Sequence, residues 1–211
     1  MTAMITIHGR NNSINVQKAM WAVGEVGVAC ERLDVGGPFG GNNTPEYRAM
    51  NPNGLVPVLV DGTVVIWESH AIVRYLGARH GVGGLWPEDP ATRSLADRWM
   101  DWATASLQPH MTPVFWGMVR TPEAERDMDA IRRATDALQL VWSILDSHLE
   151  GRAFVAGDGF TMGDIPVGAF YCRYMRLPDI ERPVLPHCNA WIARLEERSA
   201  FVAHVSGIPL T

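Results

Sequence analysis

Ser13 stands where the first predicted strand gives way to the first predicted helix, a position that suits a hydroxyl group facing an anion. The start of a helix presents unpaired backbone N–H groups and a partial positive charge. A serine there can accept a backbone hydrogen bond as a helix cap, and its own hydrogen can be donated elsewhere. Asn12 and Asn15 are polar neighbours of Ser13 at the same helix start. The segment predicts either a plain cap or an anion-stabilising site.

Two further segments carry groups that could bind a ligand. Pro57 interrupts a predicted strand over residues 55–60, where it removes a donor of the sheet ladder. An edge strand or a bulge would explain it, since only about 5–6% of X–Pro bonds are cis. Glu68 and Ser69 lie at the junction between a strand hairpin and a helix, where the free N–H groups favour a carboxylate. An ordinary cap followed by a solvated acid is the alternative.

The elements that position these residues follow the order β-α-β-α-β-β-α over the first eighty residues. Apolar alternation predicts strands over 4–8, 28–35, 55–60 and 64–66, and helical spacing predicts helices from 13 onward, from 44 onward and over 68–79. The Gly- and Asn-rich stretch 36–43 is a loop, and Asp61-Gly62 is a hairpin turn. The strand-helix-strand start favours a parallel pair, and the hairpin adds an antiparallel one.

Only helical patterns follow the Gly- and Pro-rich stretch 81–90, which we take as the domain boundary. The predicted domains are therefore 1–82, of mixed α/β type, and 91–211, of all-α type. The helices of the second are expected over 91–118, 123–149, 163–174, 186–197 and 199–205. In this domain, Thr161-Met162-Gly163-Asp164 fits a capping box with a structural role.

Composition excludes several classes of protein. The 211 residues are 47% apolar and 19% charged, a globular balance, and the net charge of -5 without a basic block argues against nucleic acid as a partner. No apolar run approaches the ~20 residues of a membrane span, and the N-terminus does not resemble a signal peptide. We therefore expect a cytoplasmic protein. Neither the three cysteines nor the seven histidines show metal-ligand spacing, so no metal is predicted.

Three segments resemble glutathione transferases, in the family's order and across nearly the whole chain. They read N-P-N-G-L-V-P-V-L at 51–59, I-W-E-S-H-A-I at 66–72 and F-T-M-G-D-I at 160–165. The start, 9–16, is similar to bacterial members, theta-like or nu-like, that use Ser, Thr or Asn rather than Tyr. The resemblance implies a thioredoxin-like α/β N-terminal domain and an all-α C-terminal helical domain. It also implies that two copies of the chain form a homodimer.

The resemblance also implies a function and a set of site residues. The thiol of bound glutathione would be activated for attack on a small electrophile by Ser13, by Asn15 or, as a third option, by Asn12. A cis Val56–Pro57 bond would turn the backbone groups of Val56 toward the cysteinyl part of the ligand. The remaining implied glutathione contacts are Glu68 and Ser69 at the γ-glutamyl end, with Asn12 and Asn53 as further contacts. Trp116 and Arg120 would border the second-substrate pocket, with an aromatic core residue and a surface arginine as the alternative.

One departure and two rival functions stay open at this point. Leu55 occupies the place where many relatives carry a basic residue for the glycyl carboxylate. Either Asn53, Arg10 or Lys18 substitutes for it, or recognition of the glycyl end is weak. The first rival function is a glutathione-dependent isomerase of an unsaturated keto acid. The second is a non-catalytic, glutathione-transferase-like binding protein.

Overall fold

A four-stranded sheet forms the centre of the N-terminal unit in the computed structural model, which describes residues 4–211. Its strands are β1 Ile5–His8, β2 Cys30–Leu33, β3 Val58–Asp61 and β4 Val64–Trp67. They lie in the order β2-β1-β3-β4, with β1 and β2 parallel and the other two pairs antiparallel. The predicted parallel pair and hairpin are therefore confirmed.

Helix α1, Ile14–Val26, is the crossover between the two parallel strands. It begins directly after Ser13 and ends at Gly27, whose φ of 68° is left-handed and whose N–H donates to the carbonyl of Val23 at 3.0 Å. Glycine adopts that conformation without the clash that a Cβ would cause. The helix buries an apolar face consisting of Val16, Ala19, Trp21, Ala22 and Val23.

Two shorter helices complete the α/β part of this unit. Helix α2, Pro45–Met50, is capped by Thr44, whose side-chain oxygen accepts a hydrogen bond from the N–H of Tyr47 at 3.2 Å. Helix α3, Ser69–His80, begins two residues after β4 ends and packs against α1. The starts of α1 and α3 both lead out of strands of the same sheet, and both carry predicted site residues.

The second unit is built from helices, as predicted: α4 Pro90–Trp102, α5 Gln108–Phe115, α6 Met128–Leu149, α7 Asp164–Met175 and α8 Pro186–Glu196. Helix α7 is buried on nearly every side from Asp164 to Cys172. A helix that is apolar all round belongs in the interior, so α7 is the core around which this unit is assembled.

The helix predicted over 91–118 is interrupted by wider turns. Ala103–Leu107 and Trp116–Arg120 form π turns that flank α5. A proline has no N–H and its ring crowds the carbonyl four residues earlier. For Pro109 that carbonyl belongs to Ala105, inside the first wider turn. The chain thus remains helical through Arg120, with a wider turn at the carbonyl that Pro109 crowds.

Helix α6 starts later than the acidic stretch from Glu123 had predicted. Glu123–Glu125 forms only a 3₁₀ turn, and α6 begins at Met128. The reason is Asp127, whose carboxylate accepts a hydrogen bond from the N–H of Ala130 at 2.9 Å and so caps the helix at that point.

The last helical segment belongs with the first unit by its contacts. The structure groups the chain up to Glu88 with Ser199–Ile208, and Asp89–Arg198 with Pro209–Thr211. The rings of Trp21 and Phe201 lie 4.7 Å apart. The domain boundaries 1–82 and 91–211 stay a prediction. They were drawn from the local sequence pattern, which carries no information about contacts between distant parts of the chain. None of the helices formed by residues 4–211 combines the length and hydropathy needed to span a bilayer.

Candidate active site

A cleft of about 200 Å³ opens in the first unit and brings most of the predicted site residues together. We call it the polar cleft. It is lined by residues from the start of α1, the loop before β3 and the start of α3, namely Arg10, Ser13, Asn15, Asn51, Leu55, Val56, Pro57, Glu68 and Ser69. Six of the eight residues predicted to activate or bind glutathione are in this lining.

Ser13 precedes α1 with extended backbone, φ -76° and ψ 123°, as an N-cap residue does. Its side chain, however, makes no capping hydrogen bond. Its residue exposure is 9%, and it lines the polar cleft. The hydroxyl hydrogen and oxygen are therefore not committed to the helix, and the hydroxyl can serve a ligand.

Asn15 is held by two donors on the same side-chain oxygen. The Ser69 hydroxyl donates to Asn15 Oδ1 at 3.3 Å, and Lys18 Nζ donates to it at 3.1 Å. Because an ammonium can only donate, Lys18 requires the carbonyl oxygen at this position, and this contact assigns the amide orientation. The Nδ2 group has no hydrogen-bond partner among residues 4–211. A ligand in the polar cleft can therefore use its two N–H donors.

The loop leading into β3 is fixed by its own hydrogen bonds. The Leu55 carbonyl accepts from the Tyr47 hydroxyl and from Asn51 Nδ2, each at 2.8 Å. Burial raises the pKa of Tyr47 to about 12, so its hydroxyl stays a donor at neutral pH. The Val56–Pro57 peptide is cis. Neither backbone polar group of Val56 is paired within the described part of the chain, which leaves both for an extended ligand.

Glu68 and Ser69 form the start of α3. Glu68 has φ 71° and ψ 118°, in the region that a non-glycine residue rarely adopts, and its side chain makes no cap hydrogen bond. Such backbone conformations cluster at functional sites. Ser69 is buried and lies in the first turn of the helix, where free N–H groups attract anions. A carboxylate acceptor and an anion-binding turn are thus adjacent in the polar cleft.

Arg10 is the cation of the polar cleft. Its side chain lies against two glycines with left-handed backbone, Gly36 at φ 82° and Gly37 at φ 58°. A Cβ on Gly37 would stand 3.0 Å from Arg10 Cδ, so the absence of side chains there makes room for the arginine. The sequence offered Arg10 only as one of three substitutes for a basic residue at Leu55. No local pattern singled it out.

Two predicted glutathione contacts, Asn12 and Asn53, are not among the residues that line the polar cleft. Asn53 directs its backbone N–H and its Nδ2 to Asn51 Oδ1, at 3.0 and 3.1 Å. Asn51, which the prediction did not include, lines the cleft and holds the Leu55 carbonyl. It is the first residue of the N-P-N-G-L-V-P segment, and its position in that motif was the available signal.

Trp116 and Arg120 belong to the second unit. They lie on the π turn after α5, where the Arg120 guanidinium is 5.0 Å from the Trp116 ring and 4.9 Å from the Phe115 ring. Trp116 is 53% exposed. The pair therefore presents an aromatic face with a cation beside it.

Within residues 4–211, no group of three or more His, Cys, Asp or Glu side chains is placed to hold a metal ion.

Asp164 has a structural role, as the capping-box motif predicted, but α7 has Gly163 rather than Thr161 as its N-cap. Its carboxylate accepts hydrogen bonds from the N–H groups of Val155 and Thr161, the Thr161 hydroxyl and Trp191 Nε1, at 2.9 to 3.3 Å. Its residue exposure is 0%. One carboxylate thus joins the loop before α7, the start of α7 and helix α8.

Together the two units define a class of protein. The first has a thioredoxin-like sheet, a cis-proline before β3 and a polar cleft between the starts of two helices, and the second is all-helical. This is the architecture of the cytosolic glutathione transferases.

Comparison with known proteins leads to the same family. The profile of the glutathione S-transferase N-terminal domain matches residues 4–78, and that of the C-terminal domain matches residues 107–199. Glutathione S-transferase GstB of Escherichia coli (strain K12) is 39% identical over 210 residues, which cover 99% of this chain and 100% of the relative. Glutathione S-transferase 3 of Zea mays is 29% identical over 216 residues, covering 99% of this chain and 96% of the relative.

A solved structure is similar over the full length. The theta class glutathione S-transferase of the citrus canker pathogen Xanthomonas axonopodis pv. citri, with glutathione bound, superimposes with a TM-score of 0.95. It is 50% identical, and the match covers 100% of both chains. The chain belongs to the glutathione S-transferase family and is a transferase, with theta-like character.

Proposed function

We propose that the chain binds glutathione in the polar cleft and presents its thiolate to a small electrophile. The observation that carries this proposal is the convergence of Ser13, Asn15, Val56, Glu68 and Ser69 on one cleft. Ser13 donates to the sulfur, with the Asn15 amide as the alternative donor. Val56 pairs with the cysteinyl backbone. The protein thereby contributes binding, orientation and a lowered thiol pKa.

One good donor is sufficient for the thiol. A free thiol has a pKa of ~8.5 and is only a few per cent ionised at pH 7. Lowering this value by ~2 units requires ~2.7 kcal/mol of differential stabilisation. A charge-assisted hydrogen bond from Ser13 supplies ~1.5–3 kcal/mol, and the N-terminus of α1 adds ~0.3–1. No nucleophilic protein side chain is required.

The two charged ends of glutathione have different partners. Ser69 and the first turn of α3 receive the γ-glutamyl carboxylate, and Glu68 pairs with the γ-glutamyl ammonium. For the glycyl carboxylate we propose Arg10, which lines the cleft with a guanidinium suited to bidentate capture of a carboxylate. Lys18 is the weaker choice because it has 0% exposure and is engaged with Asn15 and His70.

Substitutions of Glu68 and Arg10 should affect the binding of different ends of glutathione. Glu68→Ala should weaken glutathione binding about tenfold or more, but leave the affinity for cysteinylglycine, which lacks the γ-glutamyl group, nearly unchanged. Arg10→Ala should weaken glutathione binding similarly, but leave the affinity for the glycyl amide of glutathione nearly unchanged. Calorimetric titration measures all four affinities. A loss of affinity that is the same for both ligands would contradict the assignment of that residue.

Binding of glutathione should stabilise the folded chain. At a glutathione concentration ~100 times the dissociation constant, the gain in unfolding free energy is ~2.7 kcal/mol. A thermal melt with increasing glutathione measures this gain, with ophthalmic acid, which lacks the thiol, as the control for binding without the sulfur. If millimolar glutathione left the melting temperature unchanged, the proposed function would be wrong. Turnover with a panel of small electrophiles then separates an enzyme from a binding protein.

We propose the exposed ring of Trp116 and the guanidinium of Arg120 as contacts of the electrophile, favouring aromatic or acidic compounds. Trp116→Ala should then raise KM for the electrophile and leave KM for glutathione unchanged.

The chain is also proposed to act as a homodimer, as the family does, and sedimentation at micromolar concentration tests that assembly.

A further inference from the structure

Lys18 is unusual both because of its residue type and because of its burial. It is the only lysine among the 18 basic residues of the chain. Its residue exposure is 0%, although lysine is almost never fully buried without compensation. It lies on α1, three residues after Asn15, so both side chains project on the same side of the helix. A buried ammonium beside a site residue calls for a role.

Two contacts link Lys18 to Asn15 and to helix α3. Lys18 Nζ lies 3.1 Å from Asn15 Oδ1 and 3.3 Å from His70 Nε2. An ammonium can only donate, so Nε2 of His70 must accept, which requires a neutral imidazole with its hydrogen on Nδ1. His70 comes from α3 and is itself 9% exposed. The ammonium therefore connects α1 to α3 and contacts Asn15, a residue that lines the polar cleft.

The consequence for Asn15 is an oriented amide. Its oxygen accepts from Lys18 and from Ser69, and the amide cannot rotate by half a turn without setting its N–H group against the Lys18 ammonium, which can only donate. Its Nδ2 hydrogens stay available to the cleft. In addition, a positive charge behind the cleft favours the ionised form of a bound thiol over the neutral form.

We propose that Lys18 is a positioning residue for thiol activation: its buried ammonium orients the Asn15 amide and supplies a positive charge that favours bound thiolate. The proposal rests on the proposed function of the polar cleft. The other charged or titratable groups at the cleft are Arg10 and Glu68, while His70 faces Lys18 from α3. All three remain in the variants below, so a changed titration reports on Lys18.

The test is the titration of bound glutathione in Lys18→Met, followed by ultraviolet absorbance of the thiolate. Methionine keeps the length and bulk of the side chain and removes its charge. We expect the pKa of the bound thiol to rise by about one unit, the rate at neutral pH to fall up to about tenfold, and much of the rate to return at high pH. Gln17→Met is the matched control, because Gln17 is a 6% exposed polar residue on the same helix outside the cleft lining. It should titrate like wild type.

Lys18→Gln keeps a donor to Asn15 without the charge, and it provides a second reading if the methionine variant does not fold. A shift in Lys18→Gln supports the electrostatic part of the role, and a shift in Lys18→Met alone supports the orienting part. A wild-type thiol pKa in every folded Lys18 variant overturns the proposal, whatever the change in fold stability. If wild-type protein binds glutathione but leaves its thiol pKa at the free value, the proposed thiol activation fails, and the role of Lys18 fails with it.

Discussion

Replacing Ser13 by alanine is expected to raise the pKa of bound glutathione by roughly one to two units. The reason is the loss of one charge-assisted hydrogen bond to the thiolate, worth ~1.5–3 kcal/mol. At pH 7 the rate should fall about tenfold or more, and at high pH much of it should return, because solvent then removes the proton. Glutathione affinity should change little, because the ligand's two ends bind elsewhere in the polar cleft.

The same variant separates a donor from a helix cap. Loss of a serine cap destabilises a protein by ~1 kcal/mol. Since the Ser13 side chain makes no capping hydrogen bond, Ser13→Ala should retain nearly all of the stability of the fold. Ultraviolet titration of bound glutathione in Ser13→Ala and Asn15→Ala, together with urea unfolding of both, gives the required quantities. A shifted titration in Asn15→Ala alone would transfer thiol activation to Asn15.

The largest stability effect is expected at Asp164. In Asp164→Ala, the N–H groups of Val155, Thr161 and Trp191 lose their shared acceptor inside the protein. Each unsatisfied buried donor costs about 1–3 kcal/mol, and partial relaxation limits the total, so we expect a loss of roughly 3–5 kcal/mol. Urea unfolding at pH 7 measures it. Asp127→Ala, which removes the single exposed cap of α6, is the matched control and should cost only ~1 kcal/mol.

Asp164 should also give the stability a pH dependence of known sign. Burial raises the pKa of Asp164 to about 6, against the backbone and side-chain donors that lower it. The folded chain therefore binds this proton more tightly than the unfolded chain, whose aspartate pKa is ~3.9. Between these two values stability increases as pH falls, by up to roughly 3 kcal/mol. The difference in unfolding free energy between wild type and Asp164→Asn should thus widen from pH 7 to pH 4.5. A constant difference would mean that the carboxylate titrates as in the unfolded chain.

Local sequence was sufficient for most of the elements and for part of the polar cleft. The hairpin was predicted from Asp61-Gly62, and its turn lies one residue later, at Gly62-Thr63, because Asp61 pairs with Val64. The end of α1 at Gly27 follows from a left-handed turn that favours glycine. The motif segments around Pro57 and Ser69 identified two of the cleft's walls, because a strand end and a helix start are properties of neighbouring residues. The interruptions of the helical segment after Pro90 and the late start of α6 could not be predicted from local sequence. Helix propensity alone does not determine where a proline widens a turn or which acid caps a helix.

Only the tertiary structure decided how these segments meet. Ser69 binds Asn15 and His70 contacts Lys18 across more than fifty residues of chain, and no local pattern records a pairing at that separation. The uncommitted hydroxyl of Ser13 is likewise a matter of side-chain geometry, which sequence does not fix when a cap and a free donor are both possible. The different places of Arg10 and Lys18 were also visible only in the tertiary structure, since Arg10 lines the cleft and Lys18 is buried. The proposal of Arg10 for the glycyl carboxylate rests on that difference.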